Sequence, residues 1–148
     1  MKEFSQTKIL PFSQIQMFEL VADIANYPDF LPWCLAARIT KTTQLEKNKQ
    51  ELNADLIIGF QLYKEKFTSK VILTPNERID VNYIKGPFKK MDNFWHFKAL
   101  KNNQCEVHFE MTFEFDNFIF KKLSDLFFEE TAIKMIDSFE NRVYSLYK

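Results

Sequence analysis

The order of apolar and polar side chains divides the chain into four regions. Residues 4–10 have strand character, and Pro11 ends that segment. Apolar residues then recur at helical spacing, and from Cys34 to Asp116 the period changes to two, which is the period of a strand. Residues 117–148 are helical in composition and contain no Gly or Pro. This pattern predicts a first strand, a helical connection, a run of strands and a closing helix.

The helical connection begins at Ser13. Ser13 lies three residues before Gln16, which is the spacing of a capping box. Asn26 is expected to cap a second short turn over residues 27–30, which Pro32 ends. The link between the first and second strands is therefore predicted to be helical.

Six segments after the connection have strand character, at roughly 34–46, 50–60, 62–74, 77–85, 88–101 and 103–116. In the last segment the apolar face carries Cys105, Val107, Phe109, Met111, Phe113 and Phe115, and the polar face carries Glu106, His108, Glu110, Thr112 and Glu114. Short connections between such strands favour an antiparallel sheet, because parallel strands need crossover helices. One face is expected to be buried.

The closing helix changes its apolar side near residues 129–131. On a wheel of about 100° per residue, two clusters lie nearly opposite each other: Ile119, Phe120, Leu123, Leu126 and Phe127, then Ile133, Ile136, Phe139, Val143 and Tyr147. Either the helix bends there, or its first half meets something other than the sheet. A one-sheet, one-helix arrangement predicts an α+β fold in which the helix covers the sheet.

Composition narrows the class of protein. A length of 148 residues predicts one domain, residues 1–148. The 20 Lys and Arg balance the 20 Asp and Glu, so a uniformly basic surface for DNA is not expected. The 17 Phe residues have two possible uses, which are core filling and the lining of an apolar tunnel for a small molecule. Composition leaves both open.

The sequence offers little for catalysis or metal binding. Cys105 and His108 are three residues apart on a strand, so their side chains point to opposite faces and cannot share a metal. Cys34, beside a tryptophan, is typical of packing. Gly59 is interpreted as a bulge or bend and Gly86 as part of a turn, which leaves no phosphate-binding loop. We expect no enzyme activity, no cofactor and no metal site.

Glu65 is the acidic residue of most interest. If its strand turns Phe67 and Val71 inward, Glu65 faces inward too, and a lone buried carboxylate is costly unless it is paired. A salt bridge near the sheet edge is one interpretation. A polar spot beside a ligand headgroup or an ordered water is the other.

The polar face of the strands separates charges of opposite sign. Basic positions are Lys64, Lys66, Lys70, Lys85, Lys89 and Lys90, and the last strand contributes Glu106, Glu110 and Glu114. This surface is interpreted as solvated charge, or as a contact for anionic lipid or ribosomal RNA. With no secretory signal and no apolar run of about 18 residues, we expect a cytoplasmic protein that contacts the inner membrane peripherally, if at all.

The segment Val21 to Cys34 resembles the coenzyme Q-binding branch of the START-domain superfamily, which comprises polyketide cyclases and lipid-transport proteins. Further matching pieces are Ile58-Gly59-Phe60, Lys66 to Val71, Gly86 to Lys89, Trp95-His96-Phe97, Phe113-Glu114-Phe115 and Phe139 to Arg142. The resemblance implies a START/Bet v 1-like helix-grip fold, in which a seven-stranded antiparallel sheet grips a C-terminal helix around a hydrophobic cavity. It also implies a bacterial protein.

The resemblance implies two functions. One is non-catalytic binding of ubiquinone or a similar isoprenoid quinone, in support of respiratory electron transport and the respiratory complexes. The other is that of the ribosome-association toxin RatA, which hinders the joining of ribosomal subunits. For the cavity we predict a mouth of Tyr27, Phe30, Leu31 and Trp33, and an interior of Phe60, Phe67, Phe88, Trp95, Phe113 and Phe139, with Glu65 as a polar group.

Overall fold

The computed structural model describes residues 2–60, 63–115 and 118–147, including their side chains except at residues 60, 63, 119, 120 and 123–128. The strands are β1 Lys2–Leu10, β2 Cys34–Gln44, β3 Gln50–Phe60, β4 Tyr63–Thr74, β5 Arg78–Lys85, β6 Phe88–Ala99 and β7 Cys105–Phe115. The α-helices are α1 Gln14–Ala22 and α2 Phe118–Tyr147, and 3-10 helices span Ile24–Asp29 and Glu46–Asn48. Leu62, Asp116, Asn117 and Lys148, which end predicted elements, lie outside the described residues.

All seven strands form one antiparallel sheet in the order β1-β7-β6-β5-β4-β3-β2. Consecutive strands pair as neighbours from β2 to β7. Strand β1 is the edge strand beside β7, and the helical connection leads the chain from β1 to β2 at the opposite edge of the sheet. The predicted α+β arrangement of a meander and a closing helix is confirmed.

A capping box begins α1, as the spacing predicts. The Ser13 hydroxyl accepts from the Gln16 backbone N–H at 3.1 Å, and the Gln16 side chain accepts from the Ser13 N–H at 2.9 Å. The predicted role of Asn26 is wrong, because Asp23 occupies the N-cap of the 3-10 helix and Asn26 lies inside it. The Asn26 amide instead donates to the Asp23 carboxylate at 2.7 Å.

Helix α2 packs on the sheet through only part of the predicted apolar stripe. Ile136, Phe139 and Val143 are buried, whereas Ile133 and Tyr147 are 45% and 41% exposed. Ala132, a small residue outside that stripe, is buried instead. The side chains of the first predicted stripe, at residues 119, 120, 123, 126 and 127, lie outside the described part of the chain.

Both glycines allow close approach of the backbone to another residue. A Cβ at Gly59 would lie 2.8 Å from Leu35 Cδ1, and the Gly59 N–H donates to the Trp33 carbonyl at 2.9 Å. The register of β3 and β4 is regular at Gly59, and the irregularities lie in β2, so the predicted bulge is one strand away. Gly86 does form the predicted turn, with φ +149° and with Phe67 directly against its α-carbon.

Candidate functional site

The buried face of the sheet and α2 do not meet in solid contact. A cavity of about 280 Å³ lies between them, bordered by the first 3-10 helix, strands β3 to β7 and residues 131–139 of α2. Small-molecule sites have volumes of about 300–1,000 Å³, so this cavity is close to the lower end of that range. The hollow predicted between strands and helix is confirmed.

Most of the predicted site residues line this cavity: Tyr27, Leu31, Trp33, Glu65, Phe67, Phe88, Trp95, Phe113 and Phe139. The side chain of Phe60 lies outside the described residues. Leu31 is 1% exposed, so it belongs to the interior and not to a mouth. That these residues contact a bound ligand stays a prediction.

Phe30 is placed differently from the prediction. Its ring does not line the cavity and instead packs edge-on against Tyr27 and Phe139, with centroid distances of 5.8 and 5.2 Å. The guanidinium of Arg142, a residue of α2, lies 5.4 Å from the centroid of the Phe30 ring. Because the chain turns at the end of the 3-10 helix, Leu31 faces inward and Phe30 supports the wall from behind.

Tyr27 is held by both its ring and its hydroxyl. The hydroxyl donates to the Val21 carbonyl at the end of α1, and the ring packs edge-on against Phe139 at 5.3 Å. Burial raises the pKa of the Tyr27 phenol above its ordinary value. The side chain is therefore a protonated donor committed to the backbone.

Aromatic rings form much of the wall and support one another. Trp95 contacts Phe109 and Phe139 at centroid distances of 4.5 and 4.9 Å. Phe88 contacts Phe67 and Phe113, each at 5.8 Å. Such rings are rigid and prefer tilted packing, so they buttress the wall without filling the space.

Polar groups are few on the cavity wall. Glu65 faces the cavity from β4, as predicted, and is half-buried. Within residues 2–60, 63–115 and 118–147 no ion pair or hydrogen bond reaches its carboxylate, so the expected salt bridge is not found there. Ser69 and Asn93, which the sequence analysis did not select, also line the cavity. The available signal was that each lies two residues from apolar residues on the same strand face, Ser69 from Phe67 and Val71 and Asn93 from Met91 and Trp95.

The two cysteines are buried and lie on packed elements. Burial raises the pKa of both the Cys34 and Cys105 thiols to about 11, so both stay protonated near neutral pH. His108 faces the opposite side of β7, with Nδ1 2.6 Å from the Thr7 hydroxyl and Nε2 3.1 Å from Glu110. Among the described residues, no three His, Cys, Asp or Glu side chains are placed to hold a metal ion.

The outer face of the sheet is less segregated in charge than predicted. Asp55 on β3 lies 3.8 Å from Lys66 and 3.9 Å from Arg38, and Glu51 lies 3.8 Å from Lys70. These acids neutralise part of the basic face. The remaining predicted basic positions are exposed: Lys64, Lys85, Lys89 and Lys90. In the ranges that the structure describes, no helix combines the length and apolarity of a membrane span.

An antiparallel sheet curved around one long helix, with an apolar cavity between them, is a helix-grip arrangement. Residues 10–140 match the family described as polyketide cyclase/dehydrase and lipid transport, and the chain belongs to this family. The START-like resemblance of the sequence is thereby confirmed.

Relatives carry two kinds of name. The chain is 37% identical to the ribosome association toxin RatA of Rickettsia prowazekii over 100% of both chains. It is 29% identical to the mitochondrial coenzyme Q-binding protein COQ10 homolog B of Xenopus laevis, covering 98% of this chain and 59% of that protein.

Solved structures show the same fold. The 18 kDa protein CC1736 of Caulobacter crescentus is 30% identical with a TM-score of 0.80, over 99% of each chain. A START superfamily protein of Mycobacterium smegmatis has a TM-score of 0.79 at 19% identity, over 97% of this chain and 98% of that one. The Zhui aromatase/cyclase of Streptomyces sp. R1128 has a TM-score of 0.81 at 13% identity, over 99% and 96%. These two more distant likenesses concern the fold alone.

Proposed function

We propose that the protein binds ubiquinone or a similar isoprenoid quinone in the cavity and presents it to respiratory complexes at the membrane. The observation that carries this proposal is the apolar cavity between the sheet and α2. An apolar ligand gains about 0.8 kcal/mol for each methylene that it buries, without specific polar contacts. The name of the Xenopus relative and the lipid-transport description of the family support the same ligand class.

The proposed binding makes and breaks no bond. Of the described lining residues, only Tyr27 and Glu65 carry titratable side chains, and the Tyr27 hydroxyl is already committed to the Val21 carbonyl. A single free carboxylate does not form the acid and base pair that a cyclase or dehydratase needs. The lining therefore favours a binding role over a catalytic one.

The size of the cavity limits how much of a ligand it encloses. Its volume of about 280 Å³ lies just below the usual range for sites that enclose a drug-sized ligand, so part of a polyprenylated quinone is expected to lie outside it. The remainder of a long tail is expected to leave through the rim.

The test is extraction of the purified protein with organic solvent, followed by mass spectrometry for prenylated quinones. Trp33 and Trp95 both line the cavity, so an added quinone is expected to quench their fluorescence, and Trp33→Phe and Trp95→Phe each should remove part of the quenching. Protein from respiring cells that repeatedly contains no quinone, and shows no quenching on addition, would contradict the proposal.

A second candidate function is association with the ribosome. It is favoured by the name of the Rickettsia relative, which matches this chain over its full length. Exposed lysines at positions 64, 85, 89 and 90 are available for RNA phosphates. Sedimentation of ribosomal subunits with the protein at two salt concentrations tests it, and a loss of joined ribosomes that high salt reverses is expected.

A further inference from the structure

Ser69 is the one polar residue that is fully buried in the described part of the chain. It is 2% exposed and faces the cavity from β4, between Phe67 and Val71. No side-chain hydrogen bond among the described residues involves its hydroxyl. Among the described residues, the buried side-chain polar atoms that lack a hydrogen-bond partner do not include the Ser69 hydroxyl. The hydroxyl is therefore open to the cavity and can be reached by a group that enters it.

Asn93 faces the same cavity from β6. The register places Val71 opposite Val81 and Val81 opposite Asn93, so two strand spacings, roughly 10 Å, separate β4 from β6. The Asn93 amide nitrogen lies 3.4 Å from the Met91 sulfur, which is a weak acceptor. Within the described residues its amide oxygen has no partner.

Ser69 lies deeper in the cavity than Glu65, and the register places Asn93 level with Val71, two residues beyond Ser69 on β4. Ser69 follows Glu65 by four residues on the same face of β4, a separation of roughly 13 Å along the strand. Ser69 is fully buried, whereas Glu65, Trp33 and Pro87 are half-buried. Ser69 therefore offers a hydrogen-bonding group inside the cavity, and Trp33, Pro87 and the Glu65 carboxylate lie toward its rim.

We propose that Ser69 and Asn93 hold the polar end of the ligand inside the cavity, and that this end is a ring bearing carbonyl or hydroxyl oxygens. The inference rests on the proposed function, since it concerns the same cavity. The Ser69 hydroxyl and the Asn93 amide donate to ring carbonyls, and both also accept from ring hydroxyls. The ligand thus enters with its ring first, and its prenyl tail extends toward Trp33 and Pro87.

Two probes separate this inference from the proposed function. One is a benzoquinone carrying two prenyl units, and the other is a benzene ring with the same tail and no oxygen. By calorimetric titration, Ser69→Ala and Asn93→Leu are each expected to weaken binding of the quinone by about 3- to 10-fold. The affinity of each variant for the hydrocarbon probe should differ from that of wild type by less than about twofold.

Equal effects on both probes, or none on either, would overturn the inference while the cavity function stands. A wild-type protein that binds neither probe would overturn the proposed function itself.

The unliganded Ser69→Ala protein should melt at the same or a higher temperature than wild type, because it loses an unpartnered hydroxyl. A lower melting temperature with unchanged quinone affinity would assign Ser69 a structural role only. Ser5→Ala, an exposed change on β1, is the matched control and should alter neither measurement.

Discussion

Single residues determine whether the cavity wall can form. At Gly86 the backbone has φ +149°, and a Cβ would lie 2.6 Å from Phe67 Cβ. Phe67 is itself part of the wall and packs on Phe88. A side chain at position 86 would therefore strain the backbone of the turn and also displace Phe67 from the cavity wall.

Gly86→Ala is expected to lower the free energy of unfolding by about 1–3 kcal/mol. Gly59→Ala is the matched comparison, because its Cβ would meet Leu35 Cδ1 at 2.8 Å, the end of a side chain that is 48% exposed and can move aside. Denaturant titration of both variants measures the difference. A loss at Gly59 equal to that at Gly86 would contradict this account of the turn.

The buried thiols predict a dependence of stability on alkaline pH. Burial raises the pKa of Cys34 and Cys105 from 9.0 to about 11. Between these values the unfolded thiols lose protons that the folded ones keep, so ionisation favours unfolding. The thiol contribution is fully present below pH 9.0 and is lost as the pH rises toward about 11.

The measurement is the free energy of unfolding from pH 8 to pH 11 for wild type and for Cys34→Ala/Cys105→Ala. The variant is expected to start lower, since each change leaves a void, and then to fall less steeply with pH. The two proteins differ only at these two positions, so the difference in slope reports the thiols, including the effect of Cys34 on Tyr27, whose pKa is raised first by burial and then by Cys34. Parallel curves would show that the thiols are not protected by the fold.

At the level of elements, residue patterns predict the strands better than the short helical turn. Strands β2 to β7 follow the period-two pattern because each has one face on the cavity or core. The 3-10 helix Ile24–Asp29 is too short to show a helical period of apolar residues in the sequence. Its neighbours Phe30 and Leu31 are both apolar, and only the chain direction after the turn decides which of them reaches the cavity.

The polar lining shows a different limit of sequence reasoning. Ser69 and Asn93 occupy inward positions of their strands, so the pattern places them correctly on the buried face. What the pattern lacks is the hollow, since a serine in a solid core and a serine on a cavity wall have the same neighbours in sequence. The cavity depends on how rings such as Trp95 and Phe88 pack between strands, which is a property of tertiary structure.

Helix α1 connects the edge strand β1 to the cavity wall, and its first turn depends on Ser13. Met17, Leu20 and Val21 on this helix are buried in the core. Ser13→Ala removes the acceptor for the Gln16 N–H and is expected to cost about 1 kcal/mol of stability. Thermal unfolding measures it, with the exposed Ser145→Ala near the end of α2 as control. An equal shift for both variants would mean that the capping box adds nothing.

At the scale of the whole molecule, a substitution in α2 where it lines the cavity can fill the cavity and leave the protein surface unchanged. Ala132 is 2% exposed and lines the cavity from α2. Leucine is a good helix former, and at this position its three additional carbons would enter the hollow. Ala132→Leu is therefore expected to fold as stably as wild type and to occupy space that a ligand needs.

The two candidate functions use different parts of the molecule, so opposite variants separate them. Ala132→Leu is expected to weaken quinone binding at least about tenfold while leaving any salt-sensitive effect on ribosomal subunits unchanged. Lys89→Glu/Lys90→Glu, on the exposed rim of β6, should abolish a ribosomal effect and leave quinone affinity intact, and Lys101→Glu in the β6–β7 turn is the charge-matched control. Quinone titration and subunit sedimentation on all three variants measure both activities. If Ala132→Leu also abolished the ribosomal effect, the cavity and the surface would act as one site, since a buried change reaches a partner only through the ligand or the fold.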